Sequence, residues 1–494
     1  GYLMMKSEKE NSTIPLIKES EDLQCKGRQL GYNMLQHPIT GMTVTFISTT
    51  KGHVFNETLV QEAYDALCNR HPNFRVNGFH GEQEEGVLRR VTNYFSKVQF
   101  IKADSEEHWK EVVQSKVDKE KFKINVDEPV HRLILVQSGE KASFIFQYPH
   151  WIADGRSGQI LTSTLINYYS LFHNKTLYDI TNPNFQSLPL LDSARDINQA
   201  FLSKEPDREK VAEKFLAKMK EDWFKYKKLT DLFPLDYDPQ DPDKKMVLAQ
   251  TLPLSISYYE GTEKNFKAIK AFCKENDFTI GSLLFAVSYF VIAKLSTVDV
   301  TQEEEFKSSL IGNTDLRPRV NLGQEDVAML AGFIDINLTL KSDQSLLSLC
   351  KQVSQFLNQS LKEKKINYLI ETFSKFNFTD KEYIEVLKSN RGAASEVSIS
   401  NIGNYPFDKT VKLDESSSIA LEGMYCIVSP WTPFFGTPLI EVSTVNSFSF
   451  TSVHQGGFNN KKVGDEFSEL FVFLTENSYK LKNITIKEFR EMSI

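Results

Sequence analysis

The sequence predicts an α/β protein with two domains. Its 494 residues exceed what one ordinary hydrophobic core accommodates, and they suit two domains of about 200 or more residues each. Strand-like and helical patterns alternate between residues 28 and 190, and a second α/β region begins near Met246. The hydrophobic fraction of 40% and the charged fraction of 25% are typical of a soluble globular chain.

Composition divides the chain into four segments. Residues 1–27 are polar and charged, which predicts a loosely ordered lead-in. Residues 28–190 form the first predicted domain, and residues 246–494 form the second. Residues 191–245 form a connector between the two domains.

The connector contains one predicted helix. At its start, residues 188–198 have an irregular pattern. From residue 206 to residue 226 apolar side chains recur at helical intervals, which predicts an amphipathic helix with Pro206 in its first turn. Residues 231–244 carry three prolines among aspartates and are typical of an exposed crossover.

Two strands and a helix are predicted in the middle of the first domain. Residues 132–137 and 142–148 are rich in β-branched, apolar and aromatic side chains, and a turn at residues 138–141 separates them. After Gly155, apolar residues recur at helical spacing as far as Phe172. The pattern therefore indicates that a strand ends, the chain turns, and a helix begins near Gly155.

His150 lies where the second of these strands stops, and Asp154 follows one short turn later. A neutral imidazole near its own pKa can take a proton from an alcohol, thiol or amine and return it to a leaving group. The alternative is a strand-end histidine followed by a carboxylate that caps the next helix. The His-x-x-x-Asp spacing alone favours that alternative. Gly155, which permits unusual backbone geometry, and the strand–turn–helix setting favour catalysis.

The segment His150-Trp-Ile-Ala-Asp-Gly155 resembles the HxxxDG motif of a large acyltransferase superfamily. Its members include chloramphenicol acetyltransferase, plant BAHD acyltransferases, alcohol acetyltransferases, polyketide-associated acyltransferases and nonribosomal peptide condensation domains. Four other segments match in the expected order, so that the resemblance covers roughly residues 28–455. Residues 67–75 (LCNRHPNFR) resemble the rHPxLR stretch, and residues 278–286 (FTIGSLLFA) resemble the start of a helix. Residues 313–319 (NTDLRPR) resemble the DxRxR turn, and residues 398–403 (SISNIG) resemble the SNxG segment.

The resemblance implies two chloramphenicol acetyltransferase-like domains, each a mixed β-sheet flanked by helices, with an active-site tunnel between them. It implies acyl-CoA as co-substrate and an alcohol or amine as acceptor, without a bound cofactor or a metal. His150 would act as the general base in a ternary complex. We therefore expect an acyltransferase that acylates an alcohol, with an amide-forming condensation enzyme or a catalytically silent lipid- or acyl-binding relative as alternatives.

The resemblance also assigns supporting residues. It implies that Asp154 forms a salt bridge that fixes the loop, and Arg317 is the candidate partner, with Arg319 as runner-up. It further implies that Ser400, Asn401 and Gly403 line the tunnel, where a hydroxyl or amide could donate to the developing oxyanion. The alternative for the second group is a turn that needs Asn and Gly for backbone reasons.

One family feature is missing. The DFGWG segment of plant BAHD enzymes does not occur, and the nearest region is residues 429–438 (SPWTPFFGTP). This favours the alcohol-acetyltransferase, polyketide-associated or condensation-like branches. Nothing in the sequence resembles a carrier-protein or adenylation module, so a free-standing enzyme is expected.

Charge and cysteine content exclude several other classes. A net charge of −7 and the lack of a Lys/Arg-dense block argue against nucleic-acid binding. The five cysteines are scattered without a Cys-x-x-Cys pair, which indicates neither zinc nor a disulfide framework. The first residues lack a signal-peptide pattern, so we expect a cytoplasmic protein. We also expect a monomer. The longest apolar stretch, residues 280–295, is short for a transmembrane segment and predicts a buried helix.

Three other histidines stand near strand or helix ends. His71 precedes Pro72 in a predicted turn, and we assign it a structural role. His131 and His454 flank strands and could face solvent.

Overall fold

The structure is a computed structural model that describes residues 14, 28–29, 42–79, 87–117, 122–232, 254–373, 395–429, 436–455 and 461–494. The chain divides into two compact units. The first unit comprises Gly1–Ile197, Val320–Leu330 and Asn404–Ser429. The second unit comprises Asn198–Arg319, Ala331–Gly403 and Pro430–Ile494. Both units are therefore discontinuous along the chain.

The described strands and helices alternate along most of the chain. The strands are β1 (Arg28–Gln29), β2 (Thr43–Lys51), β3 (Val76–Phe79), β4 (Val87–Arg90), β5 (Gln99–Lys102), β6 (Arg132–Ser138), β7 (Lys141–Pro149), β8 (Leu254–Glu260), β9 (Glu305–Asp315), β10 (Ala331–Lys341), β11 (Ser398–Asn404), β12 (Thr410–Lys412), β13 (Ser418–Ser429), β14 (Leu439–Thr444) and β15 (Phe448–Gln455). The α-helices are α1 (Glu57–Arg70), α2 (His108–Val117), α3 (Gly155–His173), α4 (Ala194–Leu202), α5 (Arg208–Lys225), α6 (Glu263–Glu275), α7 (Ile280–Leu295), α8 (Leu346–Lys362), α9 (Lys365–Phe373), α10 (Lys461–Glu476) and α11 (Ile486–Glu491). Short 3-10 turns lie at Pro72–Arg75, Val300–Gln302 and Arg317–Arg319.

A six-stranded sheet in the order β12-β13-β2-β7-β6-β5 forms the core of the first unit. Its central strands are antiparallel, and Phe46 of β2 lies opposite Phe146 of β7. Helix α3 packs closely on this sheet, because a Cβ atom added at Gly158 would lie 2.1 Å from the Phe46 ring. A smaller sheet, β1-β4-β3, belongs to the same unit.

The predicted strand–turn–strand–turn–helix order in the first unit is confirmed. Strand β6 and strand β7 pair antiparallel across the short turn between Ser138 and Lys141. Strand β7 ends at Pro149, one residue before His150. Helix α3 begins at Gly155 and buries most of its apolar side chains against the unit. The strand end thus carries His150 to the edge of the sheet.

The second unit contains a six-stranded sheet in the order β10-β9-β11-β14-β15-β8. Strand β11 is parallel to β9, with Ser398 opposite Ile311. Helix α7 is buried along twelve of its sixteen residues, which confirms the predicted buried helix at residues 280–295. The two units together confirm the predicted mixed α/β class, each with a sheet and flanking helices.

Within the described ranges, no single helix has both the length and the apolar run that a membrane span requires. Helices α6 and α7 together would meet those two criteria, but they are bent by 102° at the break between them.

Two predictions about the connector need correction. Residues 188–198 are not irregular throughout, because helix α4 begins at Ala194. The Ser193 hydroxyl accepts a hydrogen bond from the Asp196 amide and so caps this helix. The amphipathic helix predicted at residues 206–226 is present as α5, but it begins at Arg208, two residues after Pro206.

The two histidines expected to face solvent are buried. His131 is 2% exposed, and its Nδ1 and Nε2 lie 2.6 Å from the Tyr64 hydroxyl and 2.7 Å from the Tyr94 carbonyl oxygen. His454 is 1% exposed. Burial lowers the pKa of each imidazole to about 4. Both rings are therefore uncharged parts of the core at neutral pH.

Some predicted segments lie outside the described residues. They are the lead-in at 1–27 apart from Ile14, the crossover beyond residue 232, the start of the second α/β region at 246–253, and residues 430–435 of the segment compared with DFGWG.

Candidate active site

His150 is buried at the end of strand β7. Its backbone amide donates to the Met42 carbonyl oxygen at 2.7 Å, and the residue is 9% exposed. Burial lowers the pKa of the imidazole, while its own backbone carbonyl and the Asp154 carboxylate act in the opposite direction. Its Nδ1 is buried and has no hydrogen-bond partner among the described residues. The ring is therefore neutral near pH 7 and able to accept a proton.

The loop from His150 to Asp154 is held at several points. The Ile152 amide donates to the Pro149 carbonyl oxygen at 3.1 Å, which closes a turn. The side-chain amide of Asn73 donates to the Ile152 carbonyl oxygen at 2.8 Å, and the Tyr148 hydroxyl donates to the Asp154 carbonyl oxygen at 2.8 Å. These bonds restrict the backbone of the loop that carries the His150 ring.

Asp154 caps helix α3 and also binds a distant segment of the first unit. Its Oδ1 accepts from the Ser157 amide at 2.9 Å and from the Ser157 hydroxyl at 2.7 Å. Its Oδ2 accepts from the Leu330 amide at 3.0 Å, and its own amide donates to the Ala328 carbonyl oxygen at 3.2 Å. Asp154 is 3% exposed, so the carboxylate is turned into the protein. These hydrogen bonds hold the loop, and the supporting rather than acid–base role of Asp154 stays a prediction.

Gly155 differs in one respect from the prediction. The residue is the first of helix α3, and it is not among the glycines with a positive φ. The unusual backbone geometry expected at Gly155 is therefore absent from this described position. Its place directly after the Asp154 cap is that of an ordinary first helical residue.

Arg317 is fully buried in the second unit. Its Nη1 lies 3.0 Å from Oδ1 of Asp315, and the same carboxylate oxygen accepts from the Arg317 amide at 3.1 Å. Arg319 is partly buried, and this burial lowers the pKa of its guanidinium, against the charge of Asp315. Asp154 and Arg317 belong to different compact units. Their pairing, and the runner-up pairing with Arg319, stay predictions.

Ser400, Asn401 and Gly403 lie on strand β11 of the second unit. Ser400 is 8% exposed and lies opposite Asn313 in the parallel pairing with β9. The Asn401 amide nitrogen lies beside the first turn of helix α7, 3.8 Å from where a Cβ atom of Gly281 would stand. Gly403 has a φ of +91°, a conformation that glycine adopts more easily than other residues. The backbone alternative thus explains Gly403, whereas the role of Ser400 and Asn401 stays a prediction.

Several residues that position the site carry no recognisable pattern in the sequence. Ser157 follows the motif by two residues, and a short polar residue in the first turn after a capping Asp is its only signal. Asn73 lies inside the segment at 67–75 that resembles a family stretch. Ala328 and Leu330 bind through backbone groups, which any residue type supplies.

Comparison with known proteins gives one family match. The condensation domain family model matches residues 33–370 of this chain. A search of curated protein sequences finds no match.

Solved structures of similar fold include a synthetase condensation domain, an acetyltransferase and a polyketide synthase associated protein. The first condensation domain of the CDA synthetase is 10% identical, with a TM-score of 0.62 over 95% of each chain. The TRI3 trichothecene 15-O-acetyltransferase from Fusarium sporotrichioides is 10% identical, with a TM-score of 0.66 over 91% of this chain and 95% of that one. The polyketide synthase associated protein 5 from Mycobacterium tuberculosis is 13% identical, with a TM-score of 0.61 over 92% of this chain and 98% of that one. These likenesses confirm the predicted chloramphenicol acetyltransferase-like fold.

Proposed function

This chain belongs to the condensation domain family, and from that membership we propose that it transfers an acyl group from acyl-CoA to an alcohol. The observation that carries the proposal is His150, a buried imidazole with a lowered pKa at the end of a strand. Its loop is fixed by hydrogen bonds from Asn73, Tyr148 and Asp154. A base held in this way needs little reorganisation during the reaction.

The proposed reaction is a direct transfer in a ternary complex. His150 takes the proton from the acceptor hydroxyl, and the oxygen attacks the thioester carbonyl carbon. The tetrahedral intermediate then collapses, the carbon–sulfur bond breaks, and the same imidazole returns its proton to the departing thiolate. Atoms and charges balance without an acyl-enzyme. Ser400 and Asn401 are the proposed donors to the oxyanion, and Gly403 is proposed to line the tunnel beside them.

Amide formation is the second candidate, because the same base serves an amine acceptor. The structures of similar fold include both a 15-O-acetyltransferase and a condensation domain of a synthetase. In this second form the donor is an acyl or peptidyl group on a carrier protein. The two candidates differ in acceptor and donor, and they share the role of His150.

The test is a free-thiol release assay on the purified chain. Acetyl-, medium-chain and long-chain CoA are offered with a panel of alcohols and amines. We expect acceptor-dependent thiol release that falls at least about a hundredfold in His150→Ala, since general base catalysis contributes about 10²–10⁴.

The matched control is His53→Ala. Strand β2 begins at Thr43, which lies opposite Pro149, the residue before His150. His53 also belongs to the first unit but follows the other end of β2, about 30 Å away along the strand. It should keep wild-type turnover. Turnover of His150→Ala equal to that of the control would refute the mechanism. Silence of the wild type with every CoA donor, without CoA binding, would refute the acyl-CoA assignment and favour the carrier-bound donor or the silent binding protein.

A further inference from the structure

We propose that Ser157 is a positioning residue for His150. Its hydroxyl joins Asp154 to the chain segment at residues 327–330, and so sets the place of the loop that carries the imidazole. The proposal rests on the proposed function, because it concerns the geometry of the base in that reaction. Ser157 itself contacts no reacting atom.

The hydroxyl of Ser157 is enclosed between Asp154 and the segment at residues 327–330, which both belong to the first unit. Ser157 is completely buried. Its Oγ lies 2.7 Å from Oδ1 of Asp154, 3.1 Å from the Ala328 amide nitrogen and 3.1 Å from the Ala328 carbonyl oxygen. All three neighbours lie within hydrogen-bond distance, and they come from two segments more than 150 positions apart in the sequence.

Because the Ser157 hydroxyl has a single proton, it can donate to only one of these neighbours. A serine donates one hydrogen bond and accepts up to two. The shorter contact, to the carboxylate, is the charge-assisted one and takes the proton. The Ala328 amide then donates to Ser157 Oγ, while the Ala328 carbonyl oxygen accepts from the Asp154 amide. Ser157 is thus the acceptor that the buried Ala328 amide uses.

These bonds form a closed network with Asp154 at its centre. The Leu330 amide donates to the second oxygen of the Asp154 carboxylate at 3.0 Å. The segment at 327–330 is therefore bound at two backbone amides two residues apart, that of Ala328 through Ser157 and that of Leu330 directly through Asp154. Removing the hydroxyl leaves the Ala328 amide without its acceptor and weakens the hold on one carboxylate oxygen. The segment and the loop would then move relative to each other.

The network reaches His150 through a short stretch of backbone. Three residues separate His150 from Asp154 in the loop, and the backbone amide of His150 is itself fixed by the Met42 carbonyl oxygen. A shift at Asp154 is therefore transmitted to the imidazole. A misplacement of about 1 Å can cost about a hundredfold in rate. We expect kcat to fall about tenfold to a hundredfold in Ser157→Ala, with KM unchanged.

The pH profile separates a positioning role from a structural one. Burial lowers the pKa of His150. The acid limb of the pH profile of kcat/KM should therefore lie at a pH below the ordinary pKa of histidine. A loosened loop lets water reach the ring, and the acid limb in Ser157→Ala should move to higher pH. Loss of folded protein alone would lower the amount of active enzyme without moving that limb.

The matched control is Ser48→Ala. Ser48 is equally buried, and its hydroxyl meets the Thr162 hydroxyl of helix α3 at 2.7 Å. Thr162 also donates to the Gly158 carbonyl oxygen, so it keeps a partner in the variant. This control loses a buried hydroxyl from the same unit, but that hydroxyl does not belong to the network around Asp154. It should keep the wild-type kcat and acid limb.

The outcomes are distinct from those that test the reaction itself. If wild type turns over and Ser157→Ala matches it in kcat and acid limb, the positioning role is wrong and the proposed function stands. If wild type is inactive with every donor, hydrogen exchange decides: the Ala328 amide should exchange faster in Ser157→Ala and not in Ser48→Ala. Unchanged exchange would overturn the proposal. If Ser157→Ala does not fold, Ser157→Cys keeps the shape, weakens both bonds, and is measured in the same way.

Discussion

Replacing Asp154 by asparagine tests the hydrogen bonds that hold the catalytic loop. Both carboxylate oxygens accept from backbone amides, one from Ser157 and the other from Leu330. Asparagine has a single acceptor oxygen, and its amide group would face the remaining backbone N–H donor. Asparagine caps helices as well as aspartate does, so the oxygen should stay on Ser157. The bond to Leu330 is then the one lost.

The magnitude follows from that single loss. A hydrogen bond to a charged acceptor contributes about 1.5–3 kcal/mol, and a buried donor left without an acceptor costs about 1–3 kcal/mol. We therefore expect Asp154→Asn to lower the free energy of unfolding by about 2–3 kcal/mol. Asp154→Ala removes all three accepted bonds and should cost about 4 kcal/mol or more. For a unit of this size, the asparagine variant should melt about 5–10 °C lower.

Scanning calorimetry of the purified variants measures these values. The control is Asp179→Asn, because Asp179 Oδ1 also accepts from the amide and the hydroxyl of one residue, Thr181, but does so in an exposed turn. The asparagine oxygen can keep both bonds in this exposed turn, so the control should melt close to the wild type. A Tm of Asp154→Asn equal to that of the control would refute the reasoning, since burial and the Leu330 bond would then contribute nothing.

Three further predictions concern the same site. If Arg317 pairs with Asp154, a double-mutant cycle of Asp154→Asn with Arg317→Gln should give a coupling energy of at least about 1 kcal/mol in urea unfolding, and additive effects would exclude the pair. Because burial lowers the pKa of His150, the ring stays neutral as pH falls to 6.5, and the acid limb of kcat/KM should lie below that value; a limb at or above 6.5 would contradict the burial. Gly158→Ala should destabilise the first unit, because overpacking against Phe46 costs about 1–3 kcal/mol. The better helix propensity of alanine offsets about 1 kcal/mol of that cost. A urea midpoint equal to or above that of the wild type would show that the helix has room to shift.

The parts of the fold that local patterns determine were predictable from the sequence. Strands β6 and β7, the turn between them and the start of α3 follow from alternating apolar residues, turn residues and a change to helical spacing. Helix α4 was missed, although Ser193 before Ala194 is a capping signal, because the irregular stretch before it obscured a short helix.

Long-range contacts were not predictable in the same way. His131 is buried because Tyr64 and Tyr94 provide its partners, and neither lies near it in the sequence. The partners of Asp154 at Ala328 and Leu330 are backbone groups, which leave no mark on residue type. The resemblance implied an arginine as a further partner of Asp154, and that pairing stays a prediction. The motif pointed to His150 as the candidate base, whereas the hydrogen bonds of its loop to Ala328 and Leu330 could be found only from the coordinates.

The central strand arrangement has a consequence for synthesis on the ribosome. Strand β13 lies between β12 and β2 in the sheet of the first unit, although residues 418–429 are translated long after residues 43–51. Until β13 emerges, the β2 edge has no partner strand in this sheet, and a nascent chain with an open edge can pair with other chains. The sheet of the first unit is therefore complete only after residues 418–429 have been translated. A chain interrupted before residue 418 should accumulate as aggregate or as chaperone-bound protein, even though it already contains the whole catalytic motif.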